Sequence, residues 1–197
     1  MKYICQLDYK HIPYETNLDN GGNPVERRSI SSSGCGVCSV CMVVDLLTDK
    51  TFSIEECRDL SYETGANRPH SGTKLALLGP AAAERFNLVY ESSTELSDAI
   101  DCLRAGGKVI AHVKAGLFTA RSHYICLIST DGKEFCILDP SYTPTKFHTP
   151  EREGRVDDSE APYVYCDVDV LHLETEDNHV KYHLFRRKDK CERTAEK

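Results

Sequence analysis

The stretch from Ser29 to Lys50 reads SISSSGCGVCSVCMVVDLLTDK, and the fold turns on how it is read. From Cys35 to Leu47 it carries a single charge, too much apolar surface for an exposed helix, and polar loops flank it on both sides. A buried central helix fits this pattern better than a strand. Cys35 then opens the helix, where unpaired backbone N–H groups and the positive end of the dipole favour a thiolate. Gly34 and Gly36 flank it, allowing close approach of a substrate and leaving N–H groups for a developing oxyanion.

Working outward, residues 1–34 read as a short strand plus a long loop, with turn-formers from Asn17 to Asn23 around Gly21-Gly22. Ser53 and Glu56 have capping-box spacing and predict a helix ending near Gly65. Pro80 suits the first position of a helix running to about Phe86. Thr94 can cap a fourth helix, Glu95 to Arg104, stopped by Gly106-Gly107. The pattern then changes to β-rich runs at Lys108 to Val113, His123 to Ser129 and Glu134 to Asp139, the last two joined by a tight turn at Asp131-Gly132. Tyr163 to Val170 and Val180 to Phe185 complete an antiparallel sheet, and the polar segment Thr143 to Ala161 reads as a surface excursion. Helices first and sheet second indicate an α+β chain, with one domain over 1–187 and a charged tail over 188–197.

A nucleophilic thiol needs a base and an orienting group. His123 starts a β run directly after the Gly116 to Ser122 loop, and Asp139 ends the next strand of the same hairpin. Around a turn at Asp131-Gly132, paired position numbers sum to about 262, which sets His123 opposite Asp139. Each residue alone has an ordinary structural use, but the three together, in this order, specify a Cys/His/Asp arrangement.

Composition narrows the function. The 197 residues hold 24 Lys+Arg against 31 Asp+Glu, a net charge of −7, which argues against a general binder of nucleic acid or anionic membranes. No run approaches the roughly 18–20 apolar residues of a membrane span, and Met1 to Gln6 lacks the core of a signal peptide. The expectation is a cytoplasmic protein, or a secreted one should a leader have been removed. Ten cysteines in a chain of this length, several inside core-like runs (Cys102, Cys126, Cys136, Cys166), read as mostly buried and reduced. Cys35, Cys38 and Cys41 form C-x2-C-x2-C, but on a helix they spread around two turns, so no metal is expected. His112 reads as a core residue, and His148, His172, His179 and His183 as surface or strand-pairing residues. Asp157-Asp158 and Glu174-Glu176-Asp177 read as solvated turns.

The segments IPYETN, GNPVERRSISSSGCGVCSVCMVVDLLTDK, SGTKLALLGPAAAERFNLV, GGKVIAHV, SHYICLI and ILDPSY, over about residues 10–147, resemble the papain-like cysteine-peptidase family thirty-nine. The likeness extends to its stand-alone relatives, the bacteriocin-processing or double-glycine leader peptidase group, and the ending VKYHLFRRK is similar to the tails of stand-alone members. SSGCG followed by HY and LDPS carries the match. The resemblance implies a papain-like fold with a cleft between a helical and a sheet half, Cys35 as nucleophile, His123 as general base and acid, and Asp139 as orienter. It implies a peptide or protein substrate and no cofactor. Cys35-Gly36-Val37-Cys38 also resembles the papain signature in which the second cysteine is the nucleophile, but SSGCG is the closer match and favours Cys35.

The chain departs from the family in having Val37-Cys38 after GCG, and Ser29 where the oxyanion-hole glutamine usually precedes the cysteine. Ser29, Ser31, Ser32, Gln6 or backbone N–H groups such as that of Gly36 are the candidates to fill that role. Alternatives to hydrolysis are acyl transfer on the same scaffold, as in the phytochelatin-synthase-like relatives, and a catalytically silent module that binds a peptide or protein.

Overall fold

The structure, a computed structural model, describes residues 3–18, 24–68, 72–175 and 178–188. A short 3-10 turn, Gln6–Asp8, leads into a hairpin of β1 (Pro13–Leu18) and β2 (Pro24–Ser29). Helices α1 (Ile30–Ser33), α2 (Cys35–Leu47) and α3 (Ile54–Glu63) follow, then the small β3 (Asn67–Arg68) and β4 (Gly72–Thr73) pair and α4 (Leu75–Phe86). Next come β5 (Leu88–Ser93), α5 (Leu96–Arg104), β6 (Lys108–Val113), β7 (His123–Thr130), β8 (Glu134–Leu138), β9 (Tyr163–Asp167), α6 (Val168–Glu174) and β10 (Tyr182–Arg187). The last six strands, all antiparallel, form one sheet in the order β5-β10-β6-β7-β8-β9.

The sheet is buried on both faces, which is why β6, β7 and β8 read as nearly continuous apolar runs. Ile110, Tyr124, Cys126, Leu138 and Phe185 join the core built on α2, α3 and α4. Val109, Ala111, Ile125, Leu127 and Ile137 join a second core against α5 and α6. Helix α2 is the central element expected: Val37, Val40, Met42 and Val43 are fully buried, each contributing about 1.5–3 kcal/mol. Ser39 on the same helix buries its Oγ with no partner. Ser39→Ala is therefore expected to raise stability, by about 1 kcal/mol in denaturant unfolding, since it removes a desolvated hydroxyl.

The capping box of α3 forms as the spacing requires: Glu56 N–H donates to Ser53 Oγ at 3.2 Å and Ser53 N–H to Glu56 Oε2 at 3.1 Å. Several boundaries differ from the sequence reading. Residues before Cys35 form a hairpin and a helical turn rather than one strand and a loop, and the turn around Gly21-Gly22 lies outside the described residues. Helix α4 starts at Leu75, five residues before Pro80, because Leu75, Leu78, Gly79, Ala82 and Ala83 form a buried stripe at helical spacing. Pro80 is exposed, and Gly79 before it has no Cβ to clash with the ring. A Cβ on Gly79 would lie 2.4 Å from the Tyr90 ring, so this glycine also sets how closely α4 meets β5.

Asn87, at φ 55°, ends α4 in the left-handed conformation and turns the chain directly into β5, an edge strand that the sequence reading lacks. Thr94 does not cap α5; Glu95 precedes the helix, and its N–H is taken by Ser93 Oγ at 2.9 Å. The run Tyr163 to Val170 is not one strand, because Asp167 Oδ1 accepts from the N–H groups of Asp169 and Val170 and starts α6. The polar excursion after Thr143 forms no helix, but it is no mere surface loop, since it buries Phe147 and turns Lys146 inward. Glu174, read as part of a solvated turn, is buried, and His183, read as a surface or strand-pairing residue, pairs within β10 and is buried. Of the charged tail, only Lys188 is among the described residues. Among the described residues, no helix is long and apolar enough to cross a membrane.

Candidate active site

Between the α2 side and the sheet lies a cleft of about 460 Å³. Gln6, Arg28, Ser32, Ser33, Cys35, Gly72 and Thr73 line it on one side, and residues 119–124 with Ser141 on the other. Cys35 opens α2 and is half-buried at the cleft floor. Gly34 and Gly36 serve packing rather than exposure: a Cβ on Gly34 would lie 2.7 Å from the Ile30 carbonyl oxygen, and one on Gly36 2.8 Å from the Thr73 Cβ. Gly36→Ala should therefore cost about 1–3 kcal/mol of stability in an unfolding titration, through strain at the seam that carries Cys35.

The β7–β8 register differs from the expected one. Cys126 pairs with Leu138 and Leu127 with Ile137, and a bulge follows before Ser129 meets Cys136. The loop spans three residues, with Asp131 Oδ1 accepting from Lys133 and Glu134 N–H groups, so the register is shifted by two from the tight turn assumed. Asp139 has left the strand, yet it reaches diagonally: His123 Nε2 lies 2.8 Å from its Oδ1. The other ring nitrogen, Nδ1, is not engaged by Asp139, and the ring acts on the Cys35 thiol. The structure thus brings Cys35, His123 and Asp139 together.

Their charges follow from that contact. Burial pushes the Cys35 thiol up, but the hydrogen bond and charge of His123, with the N–H groups of Tyr124 and Gly36, pull it net below the ordinary thiol value. Burial opposes an imidazolium at His123, and the charge and hydrogen bond of Asp139, followed by those of Cys35, overcome it and raise the ring to about 9. Asp139 is fully buried, yet His123 and then Lys146 hold its carboxyl well below the usual range. Cys38 and Cys41 are buried in the core, and desolvation pushes both thiols well up. Cys35 is the thiol of this helix favoured as thiolate.

Gln6 comes in from the N-terminal turn. Its side chain is buried against the cleft, its backbone N–H is fixed to the Pro140 carbonyl at 2.7 Å, and Nε2 donates to the Ser31 carbonyl at 2.9 Å. An amide nitrogen carries two protons, so one remains for the cleft. Ser29 does not line the cleft; it ends β2, and its N–H is taken by Ser32 Oγ at 3.1 Å. Ser32 lines the cleft and Ser31 supplies only the carbonyl that holds Gln6. Among the described residues, no group of three or more His, Cys, Asp or Glu could hold a metal ion.

No family model matches the sequence, and no curated protein matches it. Solved structures do. The peptidase domain of Streptococcus ComA, a bi-functional ABC transporter involved in a quorum-sensing pathway, matches with a TM-score of 0.52 at 15% identity, over 89% of this chain and 99% of that one. A putative C39-like peptidase from Bacillus anthracis matches with a TM-score of 0.52 at 12% identity, over 96% of this chain and 100% of that one. The chain has the papain-like fold of the C39 peptidases. At these identities the likeness is one of fold.

Around Asp139 stand groups that the sequence reading did not reveal. Lys146 Nζ donates to Asp139 Oδ2 and, at 2.7 Å, to Ser141 Oγ, while Ser141 N–H and Oγ both reach Asp139 Oδ1 at 2.9 and 3.1 Å. Tyr3 OH donates to the Asp139 carbonyl at 2.7 Å. Ser141 stands two residues from Asp139, a spacing typical of an Asx turn, and that signal was legible. Nothing in the sequence marks Lys146, which lies in a polar loop. Lys146→Met is expected to lower stability by about 2 kcal/mol, because a buried carboxylate loses a charged partner. With one opposing cation gone from Asp139, the His123 ring should also hold its proton to higher pH, which its NMR titration reads.

Proposed function

We propose that this chain is a papain-like cysteine peptidase or amide hydrolase that works through an acyl-enzyme on Cys35. The observation that carries the reading is the His123 imidazole held between Cys35 and the buried Asp139 at the floor of an open cleft. The Cys35 thiolate attacks the carbonyl carbon of the scissile bond. The resulting oxyanion accepts hydrogen bonds from the free Gln6 Nε2 proton and from the Cys35 N–H, an orphan donor of the helix start. Protonated His123 gives its proton to the departing amine, leaving a thioester on Cys35. Neutral His123 then takes a proton from water, whose oxygen attacks the thioester; Cys35 leaves as thiolate, the acid product departs, and His123 keeps the proton, which restores the ion pair. Asp139 keeps the ring in one orientation and stabilises its charge.

Activity depends on the ion pair, so its pH dependence follows. The rate should rise as Cys35 ionises and fall through about 9 as His123 loses its proton. Stability shares that window: the contribution of a raised His123 is fully present below its unfolded value of about 6.5 and is lost as pH rises through about 9. The depressed Asp139 acts in the opposite sense, contributing above about 3.9 and losing its effect in stronger acid.

The test is digestion of a mixed peptide library by the purified chain and by Cys35→Ser, with mass spectrometry of products and of the protein. New termini together with an acyl adduct on Cys35, both absent from the variant, support hydrolysis. Product carrying an added thiol or amine in place of water would instead indicate acyl transfer. No product and no adduct would favour the binding module.

A further inference from the structure

Taking the cleft as a peptidase site, we infer that it selects peptides presenting a carboxylate, through Arg121. The chain carries a net charge of −7, yet no Asp or Glu is among the described residues lining the cleft. Two arginines are, Arg28 on one wall and Arg121 on the other. Arg28 is already engaged within the chain, so Arg121 is the cation an incoming peptide meets. It is exposed, and it stands two residues before His123. The one acid next to the reacting groups, Asp139, lies fully buried behind His123 and is matched by Lys146. Among the described residues, no negative group at the cleft surface therefore offsets Arg121.

The segment carrying Arg121 is also held in place. Leu117 N–H donates to the buried Glu174 Oε2 at 2.6 Å, Gly116 N–H to the Thr119 carbonyl at 2.8 Å, and Arg152 Nη2 to the Gly116 carbonyl at 3.3 Å. Arg121's own N–H is fixed to Thr119 Oγ1 at 3.2 Å. A guanidinium on a stapled loop presents a planar pair of donors to a carboxylate with less ordering required on binding. The remaining wall fits the same class of substrate: Ser32, Ser33, Thr73 and Ser122 are hydroxyls, and among the described residues no large aliphatic side chain lines the cleft to receive a leucine or isoleucine.

Two readouts separate this inference from the reading beneath it. The first is the rate of Cys35 alkylation by anionic iodoacetate relative to neutral iodoacetamide, at low and high salt, in the native chain, Arg121→Gln and Arg121→Glu. The expected result is a fall in the ratio of about tenfold in Arg121→Glu at low salt, intermediate in Arg121→Gln and compressed by salt. The second is kcat/KM for blocked peptides bearing Glu or Lys, and for peptides free of acidic side chains that end in a free carboxylate. A preference for Glu assigns Arg121 to a side-chain carboxylate, and a preference for the free terminus assigns it to the chain end. Rapid alkylation by iodoacetamide with a ratio unchanged in Arg121→Glu, or equal cleavage of Glu and Lys peptides, overturns the carboxylate preference and leaves the peptidase reading intact. Slow reaction of Cys35 with both reagents overturns both.

Discussion

His123→Ala is expected to reduce peptide hydrolysis by roughly 10⁴ or more, because it removes the base, the acid and the counter-ion of the thiolate in one change. The effect on Cys35 itself has a definite sign. Burial pushes this thiol up, and the lowering comes first from His123, then from the Tyr124 and Gly36 N–H groups. Without the imidazole, desolvation dominates, and only a small fraction of Cys35 is thiolate at neutral pH. Iodoacetamide alkylation at pH 7 should fall about 100-fold with it. Asp139 then keeps Lys146 and Ser141 as partners, so the fold is expected to survive, a point that near-ultraviolet circular dichroism checks. Activity and alkylation left near native values would remove His123 from the mechanism.

The second large effect is expected at Gln6. Gln6→Ala should lower kcat by about 10²–10³, the usual loss for one oxyanion-hole donor, with KM nearly unchanged. Gln6→Glu keeps the shape and replaces the donor by an acceptor, so it should be at least as damaging. Cys35 alkylation should stay close to native in both variants, because Gln6 acts on the oxyanion and not on the thiol. That split between kcat and thiol reactivity distinguishes an oxyanion donor from a residue that only supports the cleft wall. Ser29→Ala, at a position off the cleft, should leave kcat within a fewfold of native.

The central helix, the thiol at its start and the change from helices to the strands β6, β7 and β8 were legible, because each rests on local signals: an apolar run, a capping box and alternating β patterns. What the sequence hid was decided by tertiary packing. The proline of α4 was read as a helix start, when the buried stripe beginning at Leu75 governs the boundary. Edge strand β5 is only half-buried, so it carries a weak pattern, and α6 is seven residues long and announced only by Asp167. The His123–Asp139 pairing was reached through a hairpin register two residues from the true one; the contact survives because Asp139 sits beyond the strand end, where its side chain reaches across the shift. Gln6 was only one of several candidates, since a contact across 25 residues between Gln6 and Ser31 leaves no trace in spacing. Lys146 was unreadable for the same reason: a lysine in a polar loop looks solvated until the loop is folded onto a buried carboxylate.

The central claim is that Cys35 and His123 form a thiolate–imidazolium pair, and the most direct measurement is the pH dependence of alkylation at each of the ten cysteines, mapped by mass spectrometry on the native chain. The account predicts that Cys35 alone reacts rapidly well below about pH 8, while the buried thiols, Cys38 and Cys41 among them, stay slow. Rapid reaction at Cys38 in place of Cys35, or slow and uniform reaction across all the thiols, would contradict it.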